Sequence, residues 1–175
     1  MRIVKKSNKI ILFMDKNYIH LYNNFVKLTT NKKLYQNLTK QDIFADRLIL
    51  FLVHFAFFLV AFKDKKNTII LQNIYDFIFK QLELSIREIG YGDQSINKKM
   101  KDYINTFHSI ISEIHFWDKL NSKDKEKKIS IFLDNFTQNA HLIDYFDDFY
   151  EKLKKKSLNS YLNSVIDSNY GSTKT

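Results

Sequence analysis

A chain of 175 residues is long enough for one domain with a sizeable core and short for two. It has no cysteine, which excludes a disulfide framework and a thiolate metal site. With no proline and only three glycines it also lacks the usual residues of tight hairpins, whereas apolar residues recur at helical spacing. We therefore expect an all-α, single-domain bundle of about seven helices.

The net charge of +9 favours an anionic partner such as a nucleic acid or an anionic lipid surface. Nearly all of this charge is lysine, and it accompanies many Asn, Ile, Tyr and Phe residues, as a nucleotide bias would produce. Arginine occurs only at Arg2, Arg47 and Arg87. We interpret the two internal arginines as positions that need a planar side chain with several donors.

The first predicted element is an amphipathic helix that follows a variable segment, residues 1–16. The apolar run from Ile10 to Met14 in that segment is too short for a secretory signal, and Asp15 interrupts it, so we expect no export. The helix covers residues 17–30. Its apolar face is expected to contain Ile19, Tyr22, Phe25, Val26 and Thr29.

The next element is an apolar helix from about Gln41 to Phe62. Its fifteen uncharged residues between Arg47 and Lys63 are fewer than the ~20 that a membrane span needs. We therefore favour a helix buried at the centre of the bundle over a membrane span. His54, near its middle, is most simply a core histidine that is hydrogen-bonded across the bundle.

Two longer helices with core-facing stripes follow. Asn67 can cap the start of the first of them, whose stripe is Ile70, Ile74, Phe77, Ile78, Leu82 and Ile86. The second should reach Leu120, with a stripe of Ile96, Met100, Tyr103 or Ile104, Phe107, Ile111 and Ile114. Beyond a charged surface loop at residues 121–128, we expect two or three shorter helices up to residue 167 and a disordered tail over residues 168–175.

Two of the three glycines lie in the connection between these long helices. Gly90 can adopt the left-handed conformation that ends a helix, and Gly92 allows a second change of direction. Ser95 is the expected N-cap of the next helix, with Asp93 as the alternative.

Charged residues surround this glycine turn. Glu83 and Arg87, four residues apart, form a favourable surface pair. We expect Arg47, Arg87, Glu88 and Asp93 to come together, because Arg47 opens the central helix and the others close an antiparallel neighbour. Such a cluster would act either as a structural lock or as a partner surface. Three lysines follow on the solvent side of the next helix: Lys98, Lys99 and Lys101.

The histidines do not predict an enzyme. His108 and His115 lie two turns apart on one helix face, but no carboxylate joins them at ligand spacing. We expect no catalytic residue, no metal, no cofactor and no small-molecule substrate. A nucleic-acid- or ribosome-binding module remains an alternative, since the lysines at 98–101 and 152–156 could contact phosphates. Solvated helix faces explain the same lysines more simply.

The stretch "SIREIGYGDQSINKKMKDYINTF", residues 85–107, resembles the ubiquinol-cytochrome c chaperone family. In that family a helix ends in an Arg-Glu pair, a Gly-x-Gly-Asp turn follows, and a Lys-rich helix begins. Tyr35, the pair Asp46–Arg47 and His54 agree with the family in order and spacing. The similarity covers residues 18–120, and the family-like helical domain is expected over residues 17–167.

The chain departs from the family pattern at two points. The family tends to have Gly before the arginine and Phe after it, where this chain has Asp46 and Leu48. The family also tends to have an aromatic pair followed by Gly-Arg, where this chain has Phe107, His108 and Ser109. The first departure keeps Arg47, and the second removes an arginine that could contact a partner.

The resemblance implies an assembly factor, not an enzyme, that attends newly made cytochrome b before it enters respiratory complex III. We expect the partner-binding residues to be Arg47, Arg87, Glu88, Gly90, Gly92, Asp93, Lys98, Lys99 and Lys101. The implied partner is nascent or unassembled cytochrome b, with the ribosome or an anionic membrane surface as further partners. The implied location is the bacterial cytoplasm, peripheral on the inner membrane, with the mitochondrial matrix as the alternative.

Overall fold

The computed structural model describes residues 18–35, 44–90, 92–133 and 140–171, and within these ranges it contains seven α-helices and no strand. The helices are α1 over residues 18–28, α2 Phe44–Ala61, α3 Thr68–Glu88, α4 Asp93–Ile114, α5 Ser122–Ser130, α6 Ala140–Lys154 and α7 Leu158–Gly171. Short 3₁₀ helices lie at Lys32–Tyr35, Lys65–Asn67 and Trp117–Lys119. The expected all-α bundle of about seven helices is confirmed.

Helix α2 is the core of the bundle. Every residue from 51 to 58 is buried, and aromatic rings from α1, α3, α4, α6 and α7 pack on α2. Phe57 lies 5.2 Å, centroid to centroid, from Phe146 of α6, and Phe55 lies 4.9 Å from Phe107 of α4. Of the helices in the described ranges, α2 alone is long and apolar enough to cross a membrane. Because eleven of its 18 residues are buried inside the bundle, it is the expected central core helix.

Helices α3 and α4 form an antiparallel pair beside α2. The buried residues of α3 are Ile74, Ile78, Phe79, Leu82 and Ile86. Four of them belong to the predicted stripe and Phe79 is an addition, whereas the predicted Ile70 and Phe77 are only partly buried. The buried residues of α4 are Ile96, Met100, Phe107, Ile110 and Ile114. Here Ile110 replaces the expected Ile111, which is only partly buried. In this part of α4 the buried face is therefore rotated slightly from the predicted stripe.

The buried face of α1 also differs from the prediction. Phe25 is buried as expected, but the residues that accompany it are Tyr18 and Leu21. Val26 is exposed, because the face toward α2 is a single narrow stripe and Val26 lies beside it. Thr29 is buried, and its hydroxyl donates to the Val26 carbonyl at 2.6 Å.

The predicted charged loop at residues 121–128 is wrong, since this segment forms most of helix α5. The Asn121 side-chain oxygen accepts from the Asp124 backbone N–H at 2.9 Å and so caps the helix. Lys125 contacts both carboxylate oxygens of Asp147 on α6, at 2.8 and 2.9 Å. Ile129 supplies the buried side of α5. The cap and these tertiary contacts stabilise a helix that has little apolar periodicity of its own.

The ends of two other helices differ from the sequence boundaries. Helix α4 ends at Ile114 rather than near Leu120, because the chain enters the 3₁₀ helix that holds the buried Trp117. Helix α7 continues to Gly171, past the expected boundary at residue 167. The variable segment 1–16, with its Ile10 to Met14 run, and residues 172–175 lie outside the described residues.

Candidate functional site

The glycine turn between α3 and α4 is exposed, and its two glycines have different roles. Gly90 has a φ of 98°, the left-handed region that glycine adopts without a steric penalty, and its N–H donates to the Arg87 carbonyl at 2.9 Å. This confirms Gly90 as the residue that ends α3. Gly92 has a φ of −71°, which any residue can adopt, so the change of direction there does not depend on glycine.

The N-cap of α4 is Gly92 rather than the expected Ser95. The first intrahelical bond joins the Ile96 N–H to the Gly92 carbonyl at 3.0 Å, so Ser95 already lies inside the first turn. Asp93 opens the helix at the positive end of its dipole, where a carboxylate is stabilised. The helix therefore begins three residues earlier than a serine cap would place it.

Arg87 joins the two sides of the turn. Its Nε and Nη2 donate to one Glu83 carboxylate oxygen at 3.1 and 2.7 Å, and its Nη1 donates to Asp93 across the turn. The hydrogen bonds to Glu83 and Asp93 raise the pKa of the guanidinium. The predicted pair Glu83–Arg87 and the predicted contact between Arg87 and Asp93 are both confirmed. The planar fork of arginine is what lets one side chain serve both carboxylates.

The other two members of the predicted charged cluster lie at the ends of α2 and α3. Glu88 is exposed at the last position of α3, and its charge raises the pKa of Tyr22 after the larger effect of burial. Arg47 is exposed in the first turn of α2, next to the buried Asp46. The grouping of Arg47 and Glu88 with Arg87 and Asp93 stays a prediction.

The three lysines after the turn are not equivalent. Lys98 and Lys101 are exposed on α4, as expected. Lys99 is partly buried and interacts with neighbouring groups, because its position follows the buried Ile96 by three residues and precedes the buried Met100. Lys98 and Lys101 are therefore the two lysines of this group that face solvent.

Two exposed apolar side chains at the end of α3 were not predicted. Leu84 is 44% exposed and Ile89 is 56% exposed, and Ile89 directly precedes Gly90. Leu84 follows Leu82 by two residues, which places it away from the buried stripe. Its exposure could therefore have been predicted from the sequence. Ile89 continues the stripe in sequence, but the helix ends before it can face the core. The exposed residues at the turn and in the last turns of α3 thus include both apolar and charged side chains.

His54 lies at the centre of the bundle and is fully buried, in a hydrogen-bonded chain across three elements. Its Nδ1 lies 2.6 Å from the Leu50 carbonyl, which can only accept, so Nδ1 carries the proton. Nε2 accepts from the Tyr145 hydroxyl of α6 at 2.8 Å, and the Asn31 side chain bonds to that hydroxyl. The predicted core histidine is confirmed.

Burial controls the protonation of this buried chain. Desolvation lowers the pKa of His54 to about 4 and raises the pKa of Tyr145 to about 12. Both groups are therefore neutral at physiological pH. A neutral histidine between a carbonyl and a hydroxyl fixes the rotation of α2 against α6.

Within the described ranges no group of three or more His, Asp or Glu side chains is arranged to hold a metal ion. His108 is exposed, and its Nε2 lies 3.2 Å from the Tyr75 hydroxyl, whereas His115 lies against the ring of Phe116. Each of these two histidines thus contacts an aromatic side chain.

The sequence model of the Ubiquinol-cytochrome C chaperone family matches residues 36–115. This segment runs from the connection before α2, through α2 and α3, to the residue after α4. It contains His54, the glycine turn and the three lysines, and it is shorter than the expected similarity over residues 18–120. No curated protein and no solved structure matches the chain. Residues 36–115 are thus similar to the ubiquinol-cytochrome C chaperone family, and this match supports the resemblance on which the sequence analysis relied.

Proposed function

We propose that the protein is an assembly chaperone that binds newly made cytochrome b and assists the biogenesis of respiratory complex III. The observation that carries this proposal is the family match over residues 36–115, which coincides with helices α2 to α4 and the turn between α3 and α4. The family description names a chaperone of ubiquinol-cytochrome c and so suggests a role without catalysis. Cytochrome b is the apolar client that the resemblance implies.

The physical properties of the glycine turn support a client-binding role. A chaperone of a multi-helix membrane protein needs an exposed apolar surface with charged groups at its edge, so that the unbound protein stays soluble. Leu84 and Ile89 provide apolar surface at the turn, and Arg87 and Asp93 provide charges beside it. On α4, Lys98 and Lys101 extend the charged edge.

We infer that the client-binding surface comprises this turn and its flanking residues. Its members are Arg47, Arg87, Glu88, Gly90, Gly92, Asp93, Lys98 and Lys101, together with the apolar Leu84 and Ile89. Lys99 contributes less in this proposal than the sequence suggested, because it is partly buried. The Glu83–Arg87–Asp93 pairs link the two sides of the turn and so reduce the ordering cost of presenting the surface.

Deleting the gene tests the function directly. We expect the amount of assembled complex III and of its b haem to fall strongly, because cytochrome b that is not captured cannot be assembled. Other respiratory complexes should be unchanged. The measurement is the haem spectrum of isolated membranes together with a native gel of the complexes. Normal complex III in the deletion strain would refute the chaperone function, and an equal loss of all complexes would favour a general nucleic-acid or ribosome role.

Reversing two charges tests the client-binding surface. The double variant Lys98→Glu/Lys101→Glu should keep its fold, because both side chains are exposed, and should capture about tenfold less newly made cytochrome b. The measurement is pulse-labelled cytochrome b that co-purifies with the tagged chain.

The matched control for this experiment is Lys123→Glu/Lys127→Glu. It makes the same charge change on exposed residues of α5, outside the segment that matches the family. We expect its capture of cytochrome b to be unchanged. Equal losses in both variants would mean that net charge matters and that the turn does not form the surface.

A further inference from the structure

The end of the bundle opposite the glycine turn carries a second charged surface. Lys63, Lys65 and Lys66 lie in the short connection between α2 and α3, and all three are exposed. A cleft of about 540 Å³ opens on one side of this connection. Lys63, Lys65 and His115 line its edge, and its apolar lining comes from Leu59, Val60, Leu71, Tyr75 and Ile111.

A second cleft, of about 360 Å³, lies on the other side of the connection. It brings Lys63 and Lys66 beside Lys156, which lies between α6 and α7. Four lysines from two separate connections therefore surround one end of the bundle. Asp64 is the one carboxylate among the residues that line these two clefts, and it accepts from the Lys66 backbone N–H at 3.3 Å. The surface is thus strongly cationic.

Exposed apolar side chains accompany these lysines. Ile69, in the first turn of α3, is 77% exposed, the largest exposure of any large hydrophobic side chain in the described ranges. Phe116 is 59% exposed and lies next to His115, whose ring centroid is 4.6 Å from that of Phe116. An exposed isoleucine side chain is unfavourable in water. Its transfer into an apolar environment, such as the acyl chains beneath a layer of anionic headgroups, is favourable.

We propose that this lysine end, formed by Lys63, Lys65, Lys66, Lys156 and Ile69, docks on the surface of an anionic phospholipid bilayer. The lysines contact lipid phosphates, and Ile69 enters the boundary between headgroups and acyl chains. A bilayer offers both the anionic layer and the apolar layer that this surface matches. A nucleic acid offers phosphates, but it gives Ile69 no comparable apolar environment.

The docking surface and the proposed client-binding surface can act at the same time. Helix α3 runs between them, from Ile69 in its first turn to Gly90 just after its end, and its 21 residues span roughly 30 Å. Membrane docking therefore leaves the glycine turn accessible. The docking proposal depends only on the residues of the lysine end, and it does not rest on the identity of the client.

Vesicle sedimentation of the full chain tests the proposal. The vesicles contain phosphatidylcholine alone, or phosphatidylcholine with one-third phosphatidylglycerol. We expect binding to the anionic vesicles only, and binding that weakens with added salt. Because one basic residue near an anionic surface strengthens binding roughly fivefold, the loss of two in Lys63→Glu/Lys66→Glu should weaken binding at least about 25-fold. Ile69→Ser should bind about fivefold more weakly, at unchanged net charge.

The matched control is Lys98→Glu/Lys101→Glu, which makes the same charge change at the other end of the bundle. Its vesicle binding should stay within about twofold of the unaltered chain. Circular dichroism should be the same for all variants, since every altered side chain is exposed. The same control variant should lose cytochrome b capture. The vesicle assay therefore tests the docking surface, and the capture assay separately tests the client-binding surface.

Three results would overturn the docking proposal. The first is no binding to anionic vesicles at low salt. The second is an equal loss for the variants at the two ends, which would indicate attraction by net charge alone. The third is binding to a ribosomal RNA fragment in the absence of vesicle binding, where Lys63→Glu/Lys66→Glu abolishes RNA binding and Ile69→Ser leaves it unchanged. This result would assign the lysine end to nucleic acid.

Discussion

Replacing Phe107 by alanine is expected to lower the free energy of unfolding by about 4 kcal/mol. Phe107 is fully buried where α2, α3 and α4 meet. Its ring is stacked on Phe55 at a centroid distance of 4.9 Å and an interplanar angle of 17°, and it meets Phe79 edge-on at 5.2 Å. Alanine removes these contacts and leaves a cavity that three packed helices cannot close.

The matched control is Phe116→Ala, two residues after α4. Phe116 is mostly exposed, so its removal should change the free energy of unfolding by less than about 0.5 kcal/mol. Urea unfolding followed by circular dichroism measures both variants. A loss of less than about 1 kcal/mol for Phe107→Ala would contradict the packing of α4 against α2.

The helices of the family segment were largely predictable because their information is local. The uncharged length of α2 and the three- and four-residue steps in α3 indicate helices whatever they pack against. The core role of His54 also followed from elementary chemistry, since a polar ring in an apolar helix must find partners. Its partners could not be predicted, because Tyr145 lies 91 residues further along the chain.

The predictions that failed concern features that tertiary contacts determine. Ile110 and Ile111 are adjacent in sequence, and a small rotation of α4 decides which of them faces α2. The charged segment before Ile129 has too few apolar residues to indicate a helix, and contacts such as that between Lys125 and Asp147 stabilise it. Sequence periodicity predicts neither the rotation of α4 nor the contact between Lys125 and Asp147.

The two proposed surfaces also differ in how far they could be predicted from the sequence. The contact between Arg87 and Asp93 joins residues six apart across a turn that glycine marks, so the sequence could predict it. The lysine end combines Lys63 and Lys66 with Lys156, which are brought together only when α7 packs beside the end of α2. A run of lysines in sequence is ordinary, and only the fold places these three on one surface.

The free energy of unfolding is expected to be about 2 kcal/mol lower at pH 5 than at pH 7, because of His54. Burial lowers the pKa of this histidine from an ordinary value of 6.5 to about 4 in the folded protein. Between these two values the unfolded chain binds a proton that the folded chain does not. The stabilising contribution of neutral His54 is therefore complete above pH 6.5 and is lost as the pH falls toward 4.

Two variants separate this contribution from that of other groups. His54→Gln should be less stable than the unaltered protein at pH 7 and should show a flatter dependence on pH, because the buried titrating ring is gone. His108→Gln, at an exposed position, should keep the full dependence. Urea unfolding at a series of pH values measures the slopes, and the NMR signals of the His54 ring should remain those of the neutral form at pH 5. If His54→Gln kept the original slope, another group would be responsible. The buried chain from Leu50 through His54 to Tyr145 would then have a structural role without a measurable effect of pH.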